Sequence, residues 1–197
     1  MSVATAPNSS AHRVTTICLL IALALVAAQA LTLWLMGQPP ICKCGTLRLW
    51  SGDIWSAENS QQLTDWYTSS HLLHGVLFYA LLWLVAPRTP VAVRFLLAIG
   101  LEVSWELLEN SPLMIERYRQ SALAQGYSGD SIVNSVSDTL SAALGFAAAR
   151  ALPVRLTVVL VIVIEVTVGY VIRDNLTLNV VQLVHPSELI SQWQTGR

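Results

Sequence analysis

HLLHGVLFYALLWLVA, residues 71–86, sets two imidazoles at the mouth of a run that contains no charged side chain. As a helix the run rises about 24 Å at 1.5 Å per residue, short of a bilayer core of roughly 30 Å. The helix is therefore expected to begin earlier, near Thr64 or Asp65. That start puts Trp66 and Tyr67 at headgroup level, where aromatic rings prefer to sit. His71 and His74 then lie at the membrane surface or just beneath it, and their meaning depends on what the rest of the chain brings to that level.

Mean hydropathy is +0.56, with 54% hydrophobic and 12% charged residues, about half the charge of an ordinary soluble domain. The apolar residues collect into runs long enough to span a bilayer. Helices are expected at about 14–36, 65–86, 91–109, 131–150 and 154–172, followed by a tail over 173–197. This predicts an all-α, polytopic membrane bundle of about five transmembrane helices in one integral domain, 1–197, with loops capping one end. The first run has the basic flank of a signal peptide in His12 and Arg13. Its span exceeds the usual apolar core of roughly 7–15 residues, and Gln38–Ile41 offers no small-x-small cleavage pattern.

Orientation is read from the short connections. Arg13, Arg88, Arg94, Arg150 and Arg155 fall on one face, which carries no acid. Lys43, Arg48, Arg117, Arg119, Arg173 and Arg197 spread over the longer segments of the other face, with the acids on or toward that side. The acid-free face is therefore expected to be cytoplasmic, with the N-terminus inside a bacterial inner membrane and the tail periplasmic. The outer loops hold Trp50, Trp55 and Trp66 and turn pairs such as Pro39-Pro40, Ser51-Gly52 and Ser128-Gly129, so compact caps are expected there.

Four helices deliver ionisable groups to that outer half. LEVSWELLEN puts Glu102, Glu106 and Glu109 on one helical face, and Asn110 and Pro112 are expected to stop the helix. GDSIVNSVSD enters from outside with Asp130, Asn134 and Asp138 on one side, Asp130 or Ser131 being candidate N-caps. Glu165 lies about two turns before Arg173. A charged carboxylate near the bilayer centre costs on the order of 3 kcal/mol, so such acids face inward and pair, take a proton or bind a cation. His71, His74, Glu106 and Asp138 suit a divalent ion such as Zn, Mn or Fe, although the H-E-x-x-H protease spacing is absent. Three readings stay open here: a hydrogen-bond network that only holds helices together, a functional pocket without metal, and a metal site.

Cys18 reads as a small apolar residue. Cys42 and Cys44 in PPICKCG are too close for a structural disulfide; a reducible ring, metal ligation, intermolecular pairing and two plain thiols are all open. The tail is expected to be a strand-like cover or a short amphipathic helix on the surface. His185 reads as solvated or capping, and Asn175 begins an N-x-Thr sequon.

CKCGTLRLW, DWYTSSHLLHG, EVSWELLENSP, ERYR, YSGDSIVNSVSD and RDNLTLN together resemble an uncharacterised family of small multi-pass bacterial inner-membrane proteins known only as a domain of unknown function. That resemblance covers nearly the whole chain and implies a location but no activity. The acidic third helix, Gly129-Asp130 and the Asn-x-x-x-Asp stretch leading to Gly145 are loosely similar to VanZ-like membrane proteins, which implies envelope-related work and no catalytic residues.

Two functions are expected. The first is an envelope hydrolase or transferase acting on a lipid headgroup or lipid-linked substrate. His71, His74, Glu102, Glu106 and Asp138 would do its acid, base or ligand chemistry, with Arg117, Arg119, Asp130 and Asn134 binding substrate. The second is a non-enzymatic assembly factor that meets an envelope protein or a second copy of itself, or a small proton- or cation-coupled carrier using Glu102, Asp138 and Glu165. With net charge −1 and no basic stripe, nucleic acid is excluded as a partner.

Overall fold

The computed structural model describes residues 9–121, 123, 124 and 126–196. The described residues form eight helices: α1 Ser9–Leu35, α2 Thr68–Val85, α3 Val91–Glu109, α4 Pro112–Arg119, α5 Ile132–Ala151, α6 Val154–Ile172, α7 Leu176–Val184 and α8 Glu188–Thr195. Among the described residues no strand accompanies them, and one isolated bridge joins Ser51 and Asp65. Arg197, counted above among the outer-face bases, lies outside the described residues, as does the segment before Ser9 that was expected on the cytoplasmic side.

Four helices, α1, α2, α5 and α6, are long and apolar enough to cross a membrane. The fifth expected span, α3, has the length at 19 residues but carries Arg94, Glu102, Glu106 and Glu109. Average hydropathy cannot see that Arg94, Glu102 and Glu106 are all buried inside the bundle. Lipid-facing surfaces instead carry residues such as Leu23, Trp34, Leu84, Val154 and Val166, which stand exposed along the helices.

The bundle is organised by α2 against α5 and by α1 against α3. The first contact is close because glycine faces backbone on both sides. A Cβ built on Gly75 would lie 1.9 Å from the Ala142 carbonyl oxygen, and one on Gly145 would lie 1.9 Å from the Leu72 carbonyl oxygen. Small residues that let helix backbones touch are the usual device where lipid provides no hydrophobic drive. Below this level Leu82, Ala98 and Phe146 form one apolar cluster, and Ala22, Ile99 and Val103 another.

Several boundaries differ from the sequence reading for local reasons. α2 starts at Thr68 rather than Thr64 or Asp65, because Asp65 stays in the loop and accepts hydrogen bonds from the backbone N–H of Ser60, Tyr67 and Thr68. Asp65 thereby fastens the loop to the helix start. Pro112 does end α3, and it also opens α4: Ser111 caps that helix by accepting from the Met114 N–H, and proline suits the first turn. For α5 the cap is Ser131, through the Asn134 N–H, and not Asp130. The tail takes the helical alternative and not the strand-like one, as two short helices, because Pro186 separates α7 from α8.

Candidate metal centre at the capped end of the bundle

His71, Glu102, Glu106 and Asp138 meet between α2, α3 and α5 at the end where the long loops sit. All four are buried, Glu102 and Glu106 completely. His71 Nδ1 lies 2.6 Å from Glu102 Oε1, within hydrogen-bond distance. Glu106 Oε1 lies 3.1 Å from the same nitrogen, and Nε2 stands 3.9 Å from Asp138 Oδ2. His74 lies on the other side of Glu102, with Nδ1 3.1 Å from Oε2. Glu102 is thus clasped by both imidazoles, its position fixed by the i, i+3 spacing of HLLHG on one helical face.

Glu106 is fixed from the opposite side. Ser135 donates to Glu106 Oε2 at 2.6 Å, Gln29 Nε2 donates to Ser135 Oγ at 2.8 Å, and Thr139 donates to Gln29 Oε1 at 2.9 Å. This buried chain ties α1 and α5 to the site. The sequence reading missed it, although a lone glutamine inside the apolar α1 is the signal that points to it.

Ligand atoms of His71, Glu106 and Asp138 lie within 4.8 Å of one another, as do those of His71, His74 and Glu102. Donors bound at 2.0–2.2 Å from one ion span about 4 Å, so a small inward movement of the first trio closes it around a cation. Two of its buried oxygens, Glu106 Oε1 and Asp138 Oδ1, have no hydrogen-bond partner. Carboxylate oxygens without a partner in a buried site are costly, and a divalent ion relieves both. Glu102 and His74 would then support His71 through its other nitrogen, the usual arrangement around a metal-bound histidine.

Above the cluster a cavity of about 280 Å³ opens through the loops. His71 and Asp138 of the cluster line it together with Tyr67, Glu109, Asp130 and Asp174, and with Trp55 and Leu123 from the loops. Burial and the nearby Glu106 charge push the Asp130 carboxyl up to about 7. Its oxygens accept from Asn110 Nδ2 at 2.7 Å and from the Tyr127 hydroxyl at 2.9 Å. Burial likewise raises Asp174 to about 6, and its partners are the Tyr67 hydroxyl at 3.2 Å and Gln194 Nε2 at 3.1 Å. Burial, with Asp174 or Asp130 alongside, holds the Tyr67 and Tyr127 phenols well above their ordinary range, so both remain donors.

Other residues singled out in the sequence stand elsewhere. Arg117 donates to the carbonyls of Gln182 and Leu183 at 3.0–3.3 Å, neutralising the C-terminal end of α7, and Arg119 donates to Tyr127 O at 2.7 Å. Asn134 Nδ2 is spent on Gln62 O at 2.9 Å. Glu165 accepts from the N–H of Leu176 and Thr177 and from the Thr177 hydroxyl, which anchors the start of α7 away from the cluster. Asn175 caps α7 through the Leu178 N–H and donates to Glu165 O, so its amide is already engaged. Cys18 is buried in α1, and Cys42 and Cys44 form a disulfide.

A family model described as a protein of unknown function, DUF2585, matches residues 33–196. A UPF0314 protein of Rhizobium etli is 54% identical over 174 residues, covering 88% of this chain and 89% of its own length. One from Brucella anthropi is 51% identical over 177 residues, 90% of each chain, and one from Sinorhizobium fredii is 47% identical across 196 residues, 100% of each. No solved structure matches. The looser likeness to VanZ-like proteins gains no support from these matches. The family model spans both the histidine pair and every acid of the cluster, and on that coverage the chain belongs to the DUF2585 family, alongside these UPF0314 proteins.

Proposed function

We propose that this protein is a metal-dependent hydrolase or transferase of the bacterial inner membrane, acting from the periplasmic side on the headgroup of a lipid or lipid-linked substrate. The observation that carries the reading is the buried trio His71, Glu106 and Asp138, with two carboxylate oxygens that lack a hydrogen-bond partner and with His71 and Asp138 lining a cavity shared with the loops. A cavity of about 280 Å³ has room for a headgroup but not for acyl chains, so tails would remain in lipid beside the bundle.

In this reading His71, Glu106 and Asp138 are the ligands, and Glu102, 2.6 Å from His71 Nδ1, orients the imidazole. A bound divalent ion supplies Lewis acidity and an acidified water. Glu109 and Asp130, in the wall above, are placed to take up or return a proton, Asp130 being poised near neutrality. Arg117 and Arg119 are committed to backbone carbonyls, so charge developing on a phosphoryl or acyl oxygen would be met by the metal rather than by arginine. The apolar clusters of Leu82, Ala98, Phe146 and Ala22, Ile99, Val103 just inward of the site favour this outward-facing chemistry over ion passage.

Elemental analysis of the detergent-purified protein beside His71→Ala/His74→Ala tests the centre. Near-stoichiometric Zn, Mn or Fe that disappears in the variant is expected. Equal metal in both, or a stable protein with none, refutes the metal-dependent reading. Turnover of radiolabelled envelope lipid that falls at least 100-fold in Asp138→Asn, with the fold intact, then tests the activity.

A further inference from the structure

We infer that the outer loop carries a second, redox-gated cation site, formed by Cys42, Cys44 and Glu58 once the disulfide is reduced, with Zn²⁺ or a similarly thiophilic divalent ion as its ligand. The two sulfurs and a Glu58 carboxylate oxygen lie within 4.8 Å of one another. This group stands apart from the His71 cluster and shares no residue with it.

Its surroundings stabilise negative sulfur. The Cys44 backbone N–H points at Cys42 Sγ at 3.1 Å, Gln62 Nε2 donates to Cys44 Sγ at 3.4 Å, and the Thr46 hydroxyl lies 3.1 Å from Cys44 Sγ. Hydrogen bonds to the charged form, with Lys43 between the cysteines, favour thiolates, the form that binds metal. Arg48 and Gln62 both approach Glu58 at the same oxygen, Oε2, at 3.1 and 2.8 Å. Oε1 can therefore turn to a cation while Oε2 keeps the side chain in place. Two thiolates and one carboxylate suit Zn²⁺, and the exposed face of Cys44 leaves a fourth position to water.

A ring closed between cysteines two residues apart is readily opened by thiol exchange. An external dithiol supplies two electrons and two protons: its thiolate attacks one sulfur, the Cys42–Cys44 bond breaks, and the dithiol leaves as its own disulfide. Zn²⁺ binding then releases the two thiol protons. Reoxidation by a disulfide-bearing partner takes the same two electrons back and expels the ion. Gln62 links this event to the bundle, because its backbone carbonyl accepts from Asn134, one turn of α5 above Asp138.

The test uses the full chain in detergent in the His71→Ala/His74→Ala background, so that failure of the proposed centre does not touch it. Protein is reduced with a dithiol, desalted without oxygen, equilibrated with Zn²⁺ and analysed for bound zinc and free thiols. One more zinc per reduced chain than per oxidised chain is expected, with two thiols protected while zinc is bound. Buried Cys18 contributes the same background to every sample. Cys44→Ser, at an exposed position, should abolish the extra zinc, and Glu58→Gln should weaken its binding at least tenfold. Equal zinc in reduced and oxidised protein, or extra zinc that survives Cys44→Ser, overturns the inference.

Discussion

Replacing Gly75 with alanine should damage the candidate site without touching any of its ligands. The new Cβ would stand 1.9 Å from the Ala142 carbonyl oxygen, where real contacts of this kind are never closer than 3.0 Å. Backbone lies on both sides, so no rotamer change relieves the clash and α2 must move off α5 by about 1 Å or more. His71 and Asp138 ride on those two helices, and their 3.9 Å separation would widen to roughly 5 Å, beyond the reach of one ion at its usual bond lengths. Overpacking of this kind typically costs 1–3 kcal/mol, and a backbone-to-backbone clash belongs near the top of that range. Gly145→Ala should behave in the same way, since its Cβ would meet Leu72 O at 1.9 Å. Gly100 is the control: nothing lies within 4 Å of its Cβ position, so Gly100→Ala should be neutral or up to about 1 kcal/mol stabilising. The assay is thermal unfolding in detergent, with and without added Zn²⁺ or Mn²⁺, together with metal stoichiometry. If Gly75→Ala and Gly145→Ala unfold with the wild type and bind metal as tightly, the argument that this helix contact sets the His71–Asp138 spacing is wrong.

Three further outcomes are expected. Gln29→Leu should cost about 1–3 kcal/mol in thermal unfolding, because it leaves the Thr139 hydroxyl without its acceptor and removes the donor that holds Ser135 against Glu106; an unchanged midpoint would show that the buried chain is idle. Asp130 stands near 7 in the folded chain against an ordinary 3.8, so its contribution is favourable at low pH and is lost as pH rises through that interval. The difference amounts to at most about 4 kcal/mol, and Asp130→Asn should flatten the stability profile measured between pH 4 and 8; an unchanged slope assigns the loss to other groups. Glu165→Gln should weaken the start of α7 by about 1 kcal/mol, which limited proteolysis would report as faster cleavage between 173 and 187 with the core intact.

The fold was legible where its physics is one-dimensional. Length and hydropathy along the chain located α1, α2, α5 and α6, and the 3.6-residue period placed Glu102 and Glu106 on one side of α3. Helix starts were less legible, because caps depend on which nearby oxygen wins. Asp130 and Ser131 are both plausible caps of α5 from composition, and only the loop geometry chooses between them. The arginines of ERYR illustrate the same limit: a guanidinium near a pocket reads as an anion clamp until the tail folds back and offers it the Gln182 and Leu183 carbonyls. Glu165 is grouped with Glu102 and Asp138 in the sequence reading, yet α6 turns that carboxylate toward the start of α7.

By itself the sequence determined that this chain is an all-helical bundle built for a membrane, with histidines and acids concentrated at one end. Both follow from transfer energetics, which act on each segment alone: apolar runs partition, and ionisable groups inside them must turn inward. Tertiary structure decided which of those groups meet. Gly75 and Gly145 let α2 and α5 approach to backbone contact, Gln29 reaches across from α1, and the result is a trio of His71, Glu106 and Asp138 beneath an open cavity, with Asn134, Arg117, Arg119 and Glu165 drawn into holding the fold. Pairing across helices depends on crossing geometry and on which partners reach a donor first, and no single segment carries that information.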